Sequence, residues 1–134
     1  MLVGREMDYA LRILRALSRQ DGKKLSAAAV ARQEHMPKAV TLKIMKRLHD
    51  AGIVQSSRGA GGGYRLARPC AGITLYDLFS AMGTPILINR CQAADYLCEN
   101  LPPENCGICR EFSRVQTVLN AELRRTPLDH IFAE

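Results

Sequence analysis

Four cysteines fall within nineteen residues, at Cys91, Cys98, Cys106 and Cys109, and a fifth, Cys70, stands alone. The opening segment, MLVGREMDYALRIL, carries charge every few residues and lacks the apolar stretch of an export signal. A cytoplasmic location is therefore expected, and a disulfide framework is not. Thiols gathered this closely in a reducing compartment bind metal or do redox chemistry. Their surroundings are polar, with Gln92, Asp95, Glu99, Asn100, Glu104 and Asn105 interleaved, so the four do not read as small buried hydrophobes, whereas Cys70 does. Zinc sites of four cysteines ordinarily use two close C-x2-C pairs, and here only Cys106-Gly107-Ile108-Cys109 qualifies. That pair also lacks the βαβ setting of a thioredoxin-type redox motif. His35, His49 and His130 are scattered and read as surface or packing residues.

The second set of residues is cationic. Residues 1–69 hold fourteen Lys and Arg against five Asp and Glu, a net of +9, while residues 70–134 hold five against eight, a net of −3. A chain of net charge +6 thus concentrates its basic character in one half, the footprint of a polyanion partner. The densest cations, Lys38, Lys43, Lys46 and Arg47, fall on one short periodic segment, and Arg58 adjoins a glycine-rich stretch. That stretch, Gly59-Ala60-Gly61-Gly62-Gly63, has no GK[ST] after it and opens no helix, so it is not a nucleotide-phosphate loop. No Ser/His/Asp constellation or paired-carboxylate motif appears either, and an enzyme is not expected.

The elements that must position these groups follow from periodicity. Met7, Ala10, Leu11, Leu14 and Leu17 mark a first helix over about 6–19, closed by Asp21-Gly22. Ser26 caps a short second helix through an alanine-rich run, which stops before Met36-Pro37. Pro37 suits the first position of a third helix, with Thr41, Ile44, Met45 and Leu48 as its apolar stripe and Gly52 as its stop. Three short helices with the third basic make a helix-turn-helix, the third being the recognition helix. Two strand-like runs, 53–57 and 64–67, flank the glycines as a hairpin with a flexible tip. A hairpin after a helix-turn-helix is a winged helix.

Beyond Pro69 the pattern changes. Thr74 with Asp77 three residues on resembles a capping box, followed by Leu75, Leu78, Phe79 and Met82. Periodicity fades from Gly83 to Gly107, a loop long enough to need a reason such as a bound metal. It returns with Ile108, Phe112, Val115, Val118, Leu119 and Leu123 in a long helix whose apolar face is expected to meet a second subunit, before a last short helix from Thr126-Pro127. The expected fold is mainly α with a small β-hairpin, divided into a winged helix-turn-helix region (1–69) and a loop and dimerisation region (70–134). The chain has 134 residues, 47% of them hydrophobic and 24% charged, which is ordinary for one globular domain and excludes disorder. With no run of eighteen apolar residues, a membrane partner is not expected.

The stretch Gly52-Ile53-Val54-Gln55-Ser56-Ser57-Arg58-Gly59-Ala60-Gly61-Gly62-Gly63-Tyr64-Arg65-Leu66, followed by three spaced cysteines, resembles the wing and cysteine loop of the bacterial Rrf2 family of repressors. The likeness extends upstream through Met7-Asp8-Tyr9-Ala10-Leu11 and downstream through Ile73-Thr74-Leu75, so it spans nearly the whole chain. It implies a homodimeric winged-helix regulator on a pseudo-palindromic double-stranded DNA operator, with Pro37, Lys38, Ala39, Val40 and Lys43 facing the groove. Lys46 and Arg47 would meet phosphates, and Arg58 and Tyr64 would belong to the wing. In cluster-binding members three loop cysteines hold an iron–sulfur cluster, which implies Cys91, Cys98 and Cys106 as ligands of a 2Fe-2S or 4Fe-4S group sensing nitric oxide, redox state or cluster supply. The spacing here, C-x6-C-x7-C, is longer than in typical members. The fourth ligand is either Cys109, where IscR-like members place a histidine, or Asp8 of the partner subunit, as in NsrR-like members. Two other readings stand beside this one: the same regulator with a structural zinc or a cysteine thiol switch and no cluster, and an adaptor or metal-storage protein that does not regulate transcription.

Overall fold

The computed structural model describes residues 3–133. Its elements are α1 (Arg5–Ser18), α2 (Ala27–Gln33), α3 (Lys38–Asp50), β1 (Val54–Ser57), β2 (Gly63–Leu66), α4 (Leu75–Ala81), α5 (Gly107–Arg125) and α6 (Leu128–Phe132), with short 3-10 turns at Cys70–Gly72, Arg90–Gln92 and Pro103–Asn105. The mainly helical architecture with one small hairpin and a long helix near the C-terminal end is the one expected from the sequence.

Helix α1 buries Met7, Ala10, Leu14 and Leu17, as its spacing predicts, and adds Ile13 and Ala16. Glu6 and Asp8 occupy its first turn, where the unpaired amides and the helix dipole favour negative charge. The Ser26 hydroxyl accepts from the Ala29 amide at 3.1 Å and starts α2, whose small side chains Ala27 and Ala31 are buried. In α3 the stripe Thr41, Ile44, Met45 and Leu48 is buried in full, and Gly52 just beyond its end takes φ +75°. Pro37 is displaced by one position from the expectation. Its ψ of 131° is extended, so it precedes the helix rather than opening it, and the Thr41 amide and hydroxyl both donate to its carbonyl.

The hairpin is antiparallel, pairing Val54 with Leu66 and Ser57 with Gly63. It is fastened to the body at its far strand. The Tyr64 amide donates to the Leu25 carbonyl at 2.7 Å, and the Leu25 amide returns a bond to the Tyr64 carbonyl at 2.9 Å. A β-carbon on Gly63 would come within 2.7 Å of the Leu25 carbonyl oxygen, and one on Gly62 within 2.6 Å of the Ser57 carbonyl oxygen. Gly62 and Gly63 therefore serve close backbone approach, while Gly59 and Gly61 have open space around them.

Thr74 forms the expected capping box. Its hydroxyl accepts from the Asp77 amide at 3.2 Å, and the Asp77 carboxylate accepts from the Thr74 amide at 2.9 Å. One hydrophobic core joins α1, α3 and the hairpin to Ile73, Leu78, Phe79 and Met82, and it is closed by Leu128 of α6, whose amide bonds to the Ile73 carbonyl at 2.8 Å.

Helix α5 lies on this body by its polar side. Cys109 and Gln116 are its buried residues, with Ser113, Asn120 and Leu123 half-buried at the same spacing. Ile108, Phe112, Val115 and Val118 face outward, Ile108 being 66% and Val118 54% exposed. The Gln116 amide group donates to the Ile86 carbonyl at 2.8 Å and its oxygen accepts from the Ile88 amide at 2.9 Å. That clamp holds the chain leading into the cysteine loop.

Candidate nucleic-acid interface and cysteine pocket

Pro37, just before α3, and Lys38 and Ala39 in its first turn face solvent, while Val40 is half-buried and packs on the core. Among the described residues Lys38 has no ion-pair partner, so its ammonium is available to an outside anion. Further along the same helix the cations are already engaged. Lys43 Nζ lies 2.7 Å from Glu6 Oε1 and Arg47 Nη1 lies 2.8 Å from Glu6 Oε2, so one α1 carboxylate bridges two α3 cations. These two bonds, with Lys43 first, hold the Glu6 carboxyl below the usual carboxylate range. Lys46 pairs with Asp50 one turn on, at 2.8 Å. Arg58 is exposed at the base of the glycine tip. Tyr64 is half-buried and packs on the core, its backbone spent on the bridge to Leu25.

The role of Glu6 was invisible in the sequence, because its partners lie 37 and 41 residues away. The same holds for Glu34, a buried carboxylate that receives Arg15 of α1 at 2.7 Å. That pair braces α1 against the end of α2.

The four loop cysteines do come together. Cys91, Cys98, Cys106 and Cys109 line one cavity of about 20 Å³, closed by Tyr96, Leu101 and Pro103, at the N-terminus of α5. All five cysteines of the chain are free thiols, and Cys70 is buried apart from the others, as expected. Cys106 caps α5, its sulfur accepting from the Cys109 amide at 3.5 Å. Cys98 accepts from the backbone amides of Asn100 and Leu101, which hold its thiol below the ordinary range. Cys91 is pushed the other way, by desolvation first and then by the neighbouring sulfurs of Cys109, Cys98 and Cys106.

This arrangement overturns the expected cofactor. Among the described residues no group of three or more His, Cys, Asp or Glu side chains is placed to hold a metal ion. The space between the sulfurs admits about one water molecule, too little for a cluster of iron and sulfide. An iron–sulfur cluster of either type does not fit that space, and for zinc no set of three ligands is in place among the described residues. Asp8, the alternative fourth ligand, is paired with Arg12 at 2.9 Å on the outer face of α1.

A profile of the Rrf2 family, described as an iron-dependent transcriptional regulator, matches residues 3–134. The chain belongs to the Rrf2 family. As an Rrf2 member it is a DNA-binding transcriptional regulator that works as a homodimer, and not an enzyme. Among its relatives, the protein aau3 of Rhizobium meliloti is 31% identical over 81% of this chain and 70% of its own length. The regulator IscR of Cereibacter sphaeroides is 34% identical, over 50% of this chain and 44% of its own length. In structure the chain is similar to CymR, the global cysteine regulator of Bacillus subtilis, with a TM-score of 0.76 and 22% identity over 99% of this chain and 97% of that one. That likeness is one of fold. No helix among the described residues is long and apolar enough to cross a membrane.

Proposed function

We propose that this Rrf2 regulator reads a pseudo-palindromic operator with the paired α3 helices of a dimer, and that the four-cysteine pocket is a thiol switch controlling that binding. Residues 1–69 form the reading head and residues 70–134 the sensing and dimerisation region. Pro37, Lys38, Ala39, Val40 and Lys43 lie at or near the groove-facing start of α3, Lys46 and Arg47 meet phosphates, and Arg58 with Tyr64 sets the wing. The observation that carries the switch is the convergence of four free thiols on one cavity of about 20 Å³ beneath the first turn of α5.

The oxidant is a hydroperoxide. The Cys98 thiolate, favoured by two backbone amides, attacks the O–O bond, and the alcohol or water leaves with a proton. The Cys98 sulfenic acid is then attacked by a second thiol of the pocket, releasing water and forming a disulfide. The two thiols lose two electrons to the peroxide, and two protons leave with its oxygens. Closing a bond across the pocket shifts the first turn of α5, and with it the separation of the two reading heads.

The test is binding to a short palindromic duplex by protein kept reduced or treated with hydrogen peroxide, with the disulfide mapped by mass spectrometry. A tenfold or larger change in affinity that disappears in Cys98→Ser supports the switch. Equal affinity of the two forms, or a disulfide that leaves affinity unchanged, refutes it. Loss of binding to the palindrome relative to scrambled DNA in both forms would overturn the operator reading itself.

A further inference from the structure

The pairing of Glu6 with both Lys43 and Arg47 has the chemistry of a stand-in for DNA. A carboxylate with its two oxygens 2.7 and 2.8 Å from a lysine and an arginine of the same helix occupies the cations as a backbone phosphate would. Glu6 is fixed in the first turn of α1, a different element, and α1 packs on α3 through the shared core. All three side chains remain accessible to solvent, Lys43 at 57%, Glu6 at 41% and Arg47 at 38%. Exposed ion pairs of this kind contribute at most about 1 kcal/mol each to folding, so the triad is a weak stabiliser.

We infer that Glu6 is an internal competitor that neutralises Lys43 and Arg47 until a DNA backbone displaces it, and so sets how strongly the reading helix binds DNA. Sequence-independent affinity comes from cations that release counterions as they meet phosphates. A cation already paired with Glu6 brings less of that gain, because its partner must first be given up. The cost of displacing Glu6 falls on all DNA alike, so Glu6 lowers the absolute affinity and the salt dependence of binding, while the preference for operator over random DNA comes from base contacts made independently of it. Lys38, which carries no such partner, is left to supply the first electrostatic attraction.

This inference rests on the reading of α3 as the DNA-contacting helix, and the experiment separates the two. Binding of Glu6→Gln, of Lys43→Ala/Arg47→Ala, and of the triple variant is measured on palindromic and scrambled duplexes across a range of salt, with thermal melts to confirm an intact fold. Glu6→Gln is expected to bind scrambled DNA about three- to tenfold more tightly, with a salt slope steeper by about one to two. The gain should be of similar size on the palindrome, and none should remain in the triple variant. If Lys43→Ala/Arg47→Ala binds as the unaltered protein does, the α3 reading fails and the competitor role with it. If that double variant is weakened but Glu6→Gln is unchanged or weaker on scrambled DNA, only the competitor role is overturned, and Glu6 instead orients the two cations.

Discussion

Gly63 and the cysteines show how much single atoms decide in this chain. Gly63 sits at φ +142° with the Leu25 carbonyl in the space its β-carbon would need. Gly63→Ala is therefore expected to lower stability by about 2 kcal/mol or more, and urea unfolding checks this. A variant as stable as the parent would mean that the hairpin can lift from Leu25 without loss. In the cysteine pocket two thiols of the same type are driven apart. Backbone amides of Asn100 and Leu101 lower Cys98, while desolvation and three neighbouring sulfurs raise Cys91. The thiolate is the reactive form, so as the pH is raised Cys98 should be alkylated by iodoacetamide before Cys91. Site-resolved mass spectrometry of a pH series reads the order directly, and labelling of Cys91 at a lower pH than Cys98 would contradict it.

At the scale of elements, local signals carried far. Thr74 and Asp77 are three residues apart, and the whole capping box lies within that span. Thr74→Ala should cost about 1 kcal/mol and lower the melting temperature by several degrees, and a melt within one degree of the parent would show that α4 is held by packing alone. The stripe of α3 was legible for the same reason, since Thr41, Ile44, Met45 and Leu48 encode their own burial by spacing. What escaped depends on distant partners. Nothing near Glu6 announces Lys43 and Arg47, and nothing near Gln116 announces that it will clamp Ile86 and Ile88 some thirty residues earlier in the chain. The cysteine loop lies between these cases. Its residues were legible from their clustering, and their convergence followed, but the metal did not. Ligand geometry depends on how the sulfurs are placed relative to one another, which spacing along the chain does not describe. Pro37 missed its expected position by one residue because its ψ is set by the turn entering α3, which spacing alone does not describe.

For the whole molecule, the governing feature is that α5 is turned inside out. Its polar residues Ser113, Gln116 and Asn120 face the body, and Ile108, Phe112, Val115 and Val118 face away from it. That outward face is continuous with exposed Leu101 and Leu97 of the cysteine loop in composition, Leu97 being 90% exposed. A homodimer that covers it places the thiol pocket next to the subunit contact, because Cys109 is on the same helix one residue from Ile108. Val115→Glu sets a charge in the middle of the face and should raise the dimer dissociation constant at least tenfold, about 1.4 kcal/mol, as sedimentation velocity would report. An unchanged constant would move the contact elsewhere.

The outward face of α5 also bears on dosage. If only the paired form spans both half-sites, then below the dimer dissociation constant operator occupancy rises with the square of subunit concentration rather than in proportion to it. Halving the number of subunits leaves a quarter of the pairs. With the row of four apolar side chains as the subunit contact, occupancy responds more steeply than in proportion to the amount of protein, and any signal that loosens that row lowers the number of pairs in proportion to the lost dimer affinity.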